Sequence, residues 1–247
     1  MLAVEETVVC PWYDVKRDGS VCPSPTSGLP ATVTRFPKRI QLFGVGFGRK
    51  GDGQPQSGRD KNAFLNVLSI DGKDVGEGFR NGYVIEKEGV RIGLTEENTA
   101  GMKFVELREA EEEGEWMSVE ACLKVGETEC FNGTVLIDTG ISHAYLTLPL
   151  GANVSRHAAT SPSSGGVVQV LDDGSFVQLD FGSGVEEDFV VVNSTETEIK
   201  DETPNMVITT LANPAVKPPF FNSGAHFLRK WAIAFDAVGG RFGFRKV

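Results

Sequence analysis

Residues 133–149 read GTVLIDTGISHAYLTLP, and the way this stretch is read decides the fold. Val135 to Ile137 form an apolar run that ends on Asp138, and Gly140 breaks the run two residues later. Apolar residues resume at Ala144, so the pattern is strand, tight turn, strand. A carboxylate at the end of a buried strand is held still. Gly140 lacks the side chain that would block backbone approach to it, and Thr139 adds a hydroxyl that can be bonded inward. General acid–base chemistry asks for a carboxylate that is fixed yet reachable. A bare Asp-Thr-Gly is also ordinary turn chemistry, so the triplet counts only with its context.

The rest of the chain repeats the strand-and-turn style. VLSIDGKDVG (67–76) and VVQVLDDGSFVQLDFG (167–182) each place Asp-Gly between alternating apolar residues and read as β-hairpins. Long helical periodicity is absent, so the fold class expected is all-β, mainly antiparallel, with short helices. With 247 residues, 40% of them hydrophobic, the chain can bury a substantial core. STETEIKDETPN and NPAVKPP, within 194–218, read as loops around a short strand, MVITTL (206–211). In residues 15–39 Pro, Gly and Ser interrupt every periodicity, so the span reads as loop or a poorly anchored lead-in.

A net charge of −10 argues against nucleic acid, because phosphate binding needs clustered cations. The one dense charge run, LREAEEEGEW (107–116), is acidic and reads as a solvated hairpin tip; it lacks the spaced oxygen ligands of a calcium loop. No apolar stretch reaches the length of a membrane span. The four cysteines have no zinc-like spacing with one another or with His143, His157 and His226, so no metal or cofactor is expected. Disulfides suit them better. Three pairings are possible, of which Cys10–Cys22 with Cys122–Cys130 is the local one. Sequons at Asn132, Asn153 and Asn193 also suit an extracellular or secretory/vacuolar protein, although MLAVEETVVC shows no signal peptide.

Four stretches carry a resemblance in order and spacing. LFGVGFGRKGDGQPQSGRDKNAFLNVL (42–68) opens with an apolar-apolar-glycine element and ends in a Phe-Leu helix turn. GYVIEKEGVRIGL (82–94) reads as strand, and EWMSVEACLKVGETECFNGTVLIDTG (115–140) as a Trp-bearing strand followed by the Asp-Thr-Gly loop. FLRKWAIAFDAVGGRFGF (227–244) supplies an aromatic strand to Phe-Asp, a turn and a closing Gly-Phe strand. In this sequence of elements, residues 40–247 resemble the pepsin-like aspartic peptidases, with no match for residues 1–39. The resemblance implies an acid-protease fold with the C-terminal lobe complete and the N-terminal lobe partial. It divides the chain into an unmatched, mostly loop lead-in (1–39), an N-lobe remnant with inter-lobe strands (40–114) and a C-terminal lobe (115–247).

The resemblance implies hydrolysis of a peptide or protein substrate by a water activated between two carboxylates that share one proton. Asp138 matches the C-lobe aspartate, Thr139 the threonine that braces the opposing loop, and Gly140 the glycine beneath it. Ser142 and Gly224 are further supports of the loop. Asp18-Gly19, Asp52-Gly53, Asp71-Gly72 and Asp173-Gly174 lack the hydroxyl residue and the buried strand, so they read as turns and the second catalytic lobe is missing from this chain. Two positions depart from the family pattern. Ile141 stands where a serine or threonine usually bonds the carboxylate's outer oxygen, and Asn222-Ser223-Gly224 stands where two aliphatic residues precede the glycine. They leave open a catalytically inactive binding relative and a homodimer that pairs two copies of Asp138. His143 is expected to be a polar residue at a strand start, and Tyr145, Leu146, Phe220, Phe221, Phe227, Trp231 and Phe235 are expected in the core.

Overall fold

The computed structural model describes residues 6–9, 32–35, 46–47, 62–111, 115–161, 165–194 and 202–247. β1 (Glu6–Val9) and β2 (Thr32–Arg35) form a two-stranded antiparallel ladder, and β3 (Ser69–Ile70) pairs with β4 (Lys73–Asp74) in a short hairpin. β5 (Arg80–Glu86), β6 (Gly89–Leu94) and β7 (Lys103–Glu106) follow. Next come β8 (Val119–Val125), β9 (Phe131–Leu136), β10 (Ala144–Pro149), β11 (Arg156–Thr160) and β12 (Val167–Leu171). β13 (Phe176–Asp180), β14 (Glu186–Val190), β15 (Val207–Ala212) and β16 (Phe220–Asn222) lead into a 3₁₀ turn (Ala225–Arg229). β17 (Trp231–Asp236) and β18 (Arg241–Lys246) close the chain. The protein is mostly β, as the alternating pattern predicts.

Two sheets hold most of it. The larger has nine strands in the order β11-β12-β15-β10-β16-β9-β8-β13-β14 and curls into a half-barrel. The smaller has five, in the order β6-β5-β17-β18-β7. Pairing is antiparallel except for β10 with β15 and β9 with β16. β8 shows how sequence becomes sheet: in VEACLKV the first, third, fifth and seventh residues are buried, which is the period of two that puts one face of a strand on a core. β17 is different. All six of its residues, WAIAFD, are buried, because it lies between β5 and β18 and both its faces are covered.

The principal core runs through both sheets and contains Phe47, Leu65 and Tyr83 together with Leu146, Phe221 and Phe227. Tyr83 of β5 stacks on Phe235 of β17 with centroids 4.6 Å apart. A polar tie joins the sheets as well: Glu187 of β14 is buried and accepts hydrogen bonds from Trp231 Nε1 (2.7 Å) and Lys230 Nζ (2.9 Å). Burial pushes the Glu187 carboxyl above its ordinary value, against the pull of those two donors. The division at residue 114 therefore crosses a sheet and a core, since β5, β6 and β7 lie before it and β17 and β18 after it.

Three sequence expectations need correction. Residues 167–182 hold two strands and a turn, but β12 and β13 do not pair with each other. β12 buries Val170 beside Ile208 of β15, and β13 buries Val177 and Leu179 beside β8, so burial of each apolar face outweighs the shortness of the connection. The span 15–39 is not all loop, because Thr32–Arg35 makes four ladder pairs with Glu6–Val9. Tyr145 is exposed at the surface of β10, whereas Leu146 is buried as expected. The 67–76 hairpin does form, with positive φ at both Asp71 (51°) and Gly72 (74°), as a tight two-residue turn requires. The acidic 107–116 segment folds back on itself through the Glu109–Trp116 bridge.

Cys122 and Cys130 are bridged across the β8–β9 turn, with Cα atoms 5.4 Å apart. Cys10 and Cys22, and the Leu42-Phe43-Gly44 element, lie outside the described residues. No helix among the described residues is long and apolar enough to cross a membrane.

Candidate active site

The loop 137–143 connects β9 to β10, yet these consecutive strands are not neighbours. β16 lies between them, parallel to β9 through Leu136↔Asn222 and antiparallel to β10 through Tyr145↔Asn222. A loop that would otherwise stand free is thus stitched to the backbone that follows β16. Ser223 N–H donates to Leu136 O (2.9 Å), and Ala225 N–H donates to Ile141 O (2.8 Å). On the other flank Asn205 N–H donates to Ser142 O (3.0 Å). Phe221, the central residue of β16, is fully buried and anchors the arrangement; burying a side chain of that size stabilises by about 2–3 kcal/mol.

Asp138 emerges half-buried from this frame. Its Oδ1 accepts the Gly140 backbone N–H at 2.8 Å, and its Oδ2 accepts Asn222 Nδ2 at 2.9 Å. Its own backbone N–H donates to Ser223 Oγ at 3.1 Å, and that hydroxyl donates to Gly224 O at 3.1 Å. Asn222 Oδ1 accepts the Gly224 N–H at 3.2 Å. Asn222 and Ser223 are buried but fully engaged, so the polar pair avoids the penalty of about 1–3 kcal/mol that unpaired burial carries. Gly224 has φ +69°, and a Cβ on it would stand 2.6 Å from His143 O, so only glycine fits there.

The other residues singled out in the sequence divide. Thr139 and Gly140 are exposed beside the carboxylate. Ile141 and Ser142 are half-buried, and Ser142 meets its neighbours through its backbone carbonyl. His143 is buried at the start of β10; its Nε2 is 3.0 Å from Tyr145 Oη, and its Nδ1 has no hydrogen-bond partner among the described residues. Burial depresses the imidazole's pKa, with the Asp138 charge pulling the other way, so the ring is neutral at pH 7. Asn132 and Asn153 are exposed, whereas Asn193 uses its Nδ2 to bond Leu171 O and Asp173 Oδ1, both at 2.8 Å. That leaves its amide already committed inside the fold.

Asn222 and Ser223 depart from the family pattern in sequence, where polar side chains at these positions can bond the loop or each other, and the structure shows them doing so. The signal for their role was in the chain: a polar pair at 222–223 coincides with an apolar residue at 141. Among the described residues no second carboxyl group hydrogen-bonds to Asp138, and no cluster of three or more His, Cys, Asp or Glu is placed to hold a metal. Two clefts of about 640 Å³ lie elsewhere, one beside Arg80, Asp236 and Arg241 and one beside Cys122, Asn132 and Pro219. No protein-family model matches the chain, and no curated protein matches it.

Chemically, the site offers one carboxylate with both oxygens oriented by neutral donors, no cation bonded to it among the described residues, and exposed backbone beside it at Thr139 and Gly140. Such a group can take a proton from a water lying against it. To hydrolyse an amide it needs a second acid on the opposite side of that water.

Proposed function

We propose that the Asp138 loop is one half of a pepsin-like aspartic endopeptidase site. Peptide bonds of a protein substrate are hydrolysed by a water activated between Asp138 and a carboxylate that another segment or chain supplies. Asp138 takes the proton from water while the second acid protonates the peptide carbonyl, and the roles exchange as the tetrahedral intermediate collapses. The observation that carries the reading is the clamp on Asp138: a half-buried carboxylate, bonded on each oxygen by an uncharged donor, in a loop pinned by a strand inserted between its two flanking strands. Thr139, exposed beside it, is in place to meet an opposing loop. In this reading residues 115–247 form the C-terminal lobe and residues 40–114 the inter-lobe strands and a partial N-terminal lobe. No cofactor takes part.

A second reading, a binding relative without catalysis, is favoured by the lack of any carboxylic partner for Asp138 among the described residues. Incubating the purified protein and its Asp138→Asn variant with a denatured protein between pH 3 and 6 separates the two. Cleavage that a hydroxyl-bearing transition-state mimic blocks, and that the variant has lost, is the expected result. Binding of the mimic without cleavage selects the non-catalytic relative. Undiminished cleavage by Asp138→Asn removes this loop from the chemistry.

A further inference from the structure

We propose that Asn222 is the positioning residue for Asp138, doing through its side-chain amide what a hydroxyl at residue 141 does elsewhere in the family that the sequence resembles. This rests on the reading of Asp138 as an acid–base group. Position 141 is isoleucine, which donates nothing, and an aliphatic residue at 222 would donate nothing either. With both positions aliphatic, Asp138 would keep only the Gly140 N–H, on Oδ1, and its carboxylate plane would be free to turn. Asn222 Nδ2 supplies the second point of attachment, on Oδ2. The two departures from the family pattern are thus one exchange, a donor moved from the loop to the strand behind it.

Three features show that this donor is built in. Asn222 is only 8% exposed, and β16 holds it in register between Leu136 and Tyr145, so its side chain has no alternative in solvent. Its Oδ1 accepts the Gly224 N–H, which fixes which end of the amide meets Asp138. Turning the amide over would set oxygen against oxygen at 2.9 Å and strip the Gly224 N–H of its acceptor. Ser223, next in the chain, holds the Asp138 backbone N–H, so side chain and main chain of the aspartate are fixed from two adjacent residues of one segment.

Two measurements test this, one of them independent of cleavage. In ¹⁵N NMR of the wild-type protein, the Gly140 backbone amide and the Asn222 side-chain amide should shift with a common midpoint as pH is lowered, because both bond the same carboxylate. In the cleavage assay, Asn222→Val should lower kcat about 10- to 100-fold with KM little changed, the range expected when a catalytic group loses its orientation. Adding Ile141→Thr to Asn222→Val should recover most of that loss, whereas Ile141→Thr alone should change little. An Asn222 amide that does not follow the Gly140 signal overturns the proposal, whatever the variants do. So does a double variant no better than Asn222→Val. Shared titration in a protein that cleaves nothing leaves the clamp standing and sinks the peptidase reading alone.

Discussion

Asp138 and Asp236 occupy similar places in the chain and opposite places in its physics. Each ends an apolar run and precedes a glycine-bearing turn, IDTG after β9 and FDAVGG from β17. Asp236 is fully buried and surrounded by cations: Arg80 donates to it through Nε (3.1 Å) and Nη2 (2.5 Å), Arg241 through Nε (2.8 Å), and the Gly239 N–H adds a fourth bond (3.0 Å). Asp138 is half-buried, and among the described residues its carboxylate meets only amide donors. A carboxylate whose charge is cancelled by guanidinium groups is a fastener, ordered but chemically idle. One whose oxygens are oriented without being neutralised is still able to take a proton. The partners, more than the turn sequence, separate structure from site.

The largest effect that could break this contrast concerns the fastener. Burial alone would raise the Asp236 carboxyl, but its bonds to Arg80, Gly239 and Arg241 outweigh burial and hold it below the ordinary value near 3.8. A depressed folded value means that its stabilisation is fully present above pH 3.8 and fades as pH falls below that. Asp236→Asn at pH 7 should therefore cost about 3 kcal/mol, the lower end for a broken buried pair because both arginines are partly exposed and can rehydrate. Thermal melting should drop by about 6–12 °C. An unchanged melting temperature would show that Asp236 is no fastener.

Acid stability sharpens the contrast, since the proposed chemistry needs acid. His226, in the 3₁₀ turn just after Gly224, is fully buried, and neither ring nitrogen has a partner among the described residues. It packs against Phe189 and Phe227, with centroids 5.5 and 6.3 Å away. Burial, helped by the Lys230 charge, pushes its pKa down to about 3 from 6.5. Between those values the unfolded chain binds a proton that the folded one refuses, so stability falls as pH drops from 6.5 towards 3. At pH 4 this amounts to up to about 3 kcal/mol. Denaturant unfolding of His226→Phe should therefore show a shallower decline between pH 7 and 4 than the wild-type protein. Parallel declines would mean that His226 is charged in the fold or never fully shielded.

What the sequence made legible was whatever is local. The alternation in VEACLKV, the Asp71-Gly72 turn and the strand at 206–211 all follow from neighbouring residues, and each is in the structure. The partners of β12 and β13 were not legible, because a turn brings strands near without deciding which apolar face is covered by what. The same holds at the site. Asp138 and Gly140 stand out in a six-residue window, but the bond from Asn222 spans 84 positions and exists only because β16 enters between β9 and β10. Read alone, Asn222-Ser223 looks like a flaw in an apolar element; in place, it is the floor of the carboxylate.

The smallest expected effect is the most discriminating. Asp138→Asn preserves shape, and the new amide can still accept the Gly140 N–H through its oxygen. Its NH₂ group then faces Asn222 Nδ2, donor against donor where 2.9 Å now separates donor from acceptor. Asn222 can relieve this only by turning over, which unpairs the Gly224 N–H. One hydrogen bond is lost on either path, about 1 kcal/mol, and no buried cation among the described residues is left stranded. Asp138→Asn should thus melt within about 2–4 °C of the wild type, a third of the loss set for Asp236→Asn or less, while abolishing any cleavage. Side-by-side melting curves decide it. Equal losses in the two variants would place Asp138 among the fasteners and take away the physical ground for treating it as a reactive group.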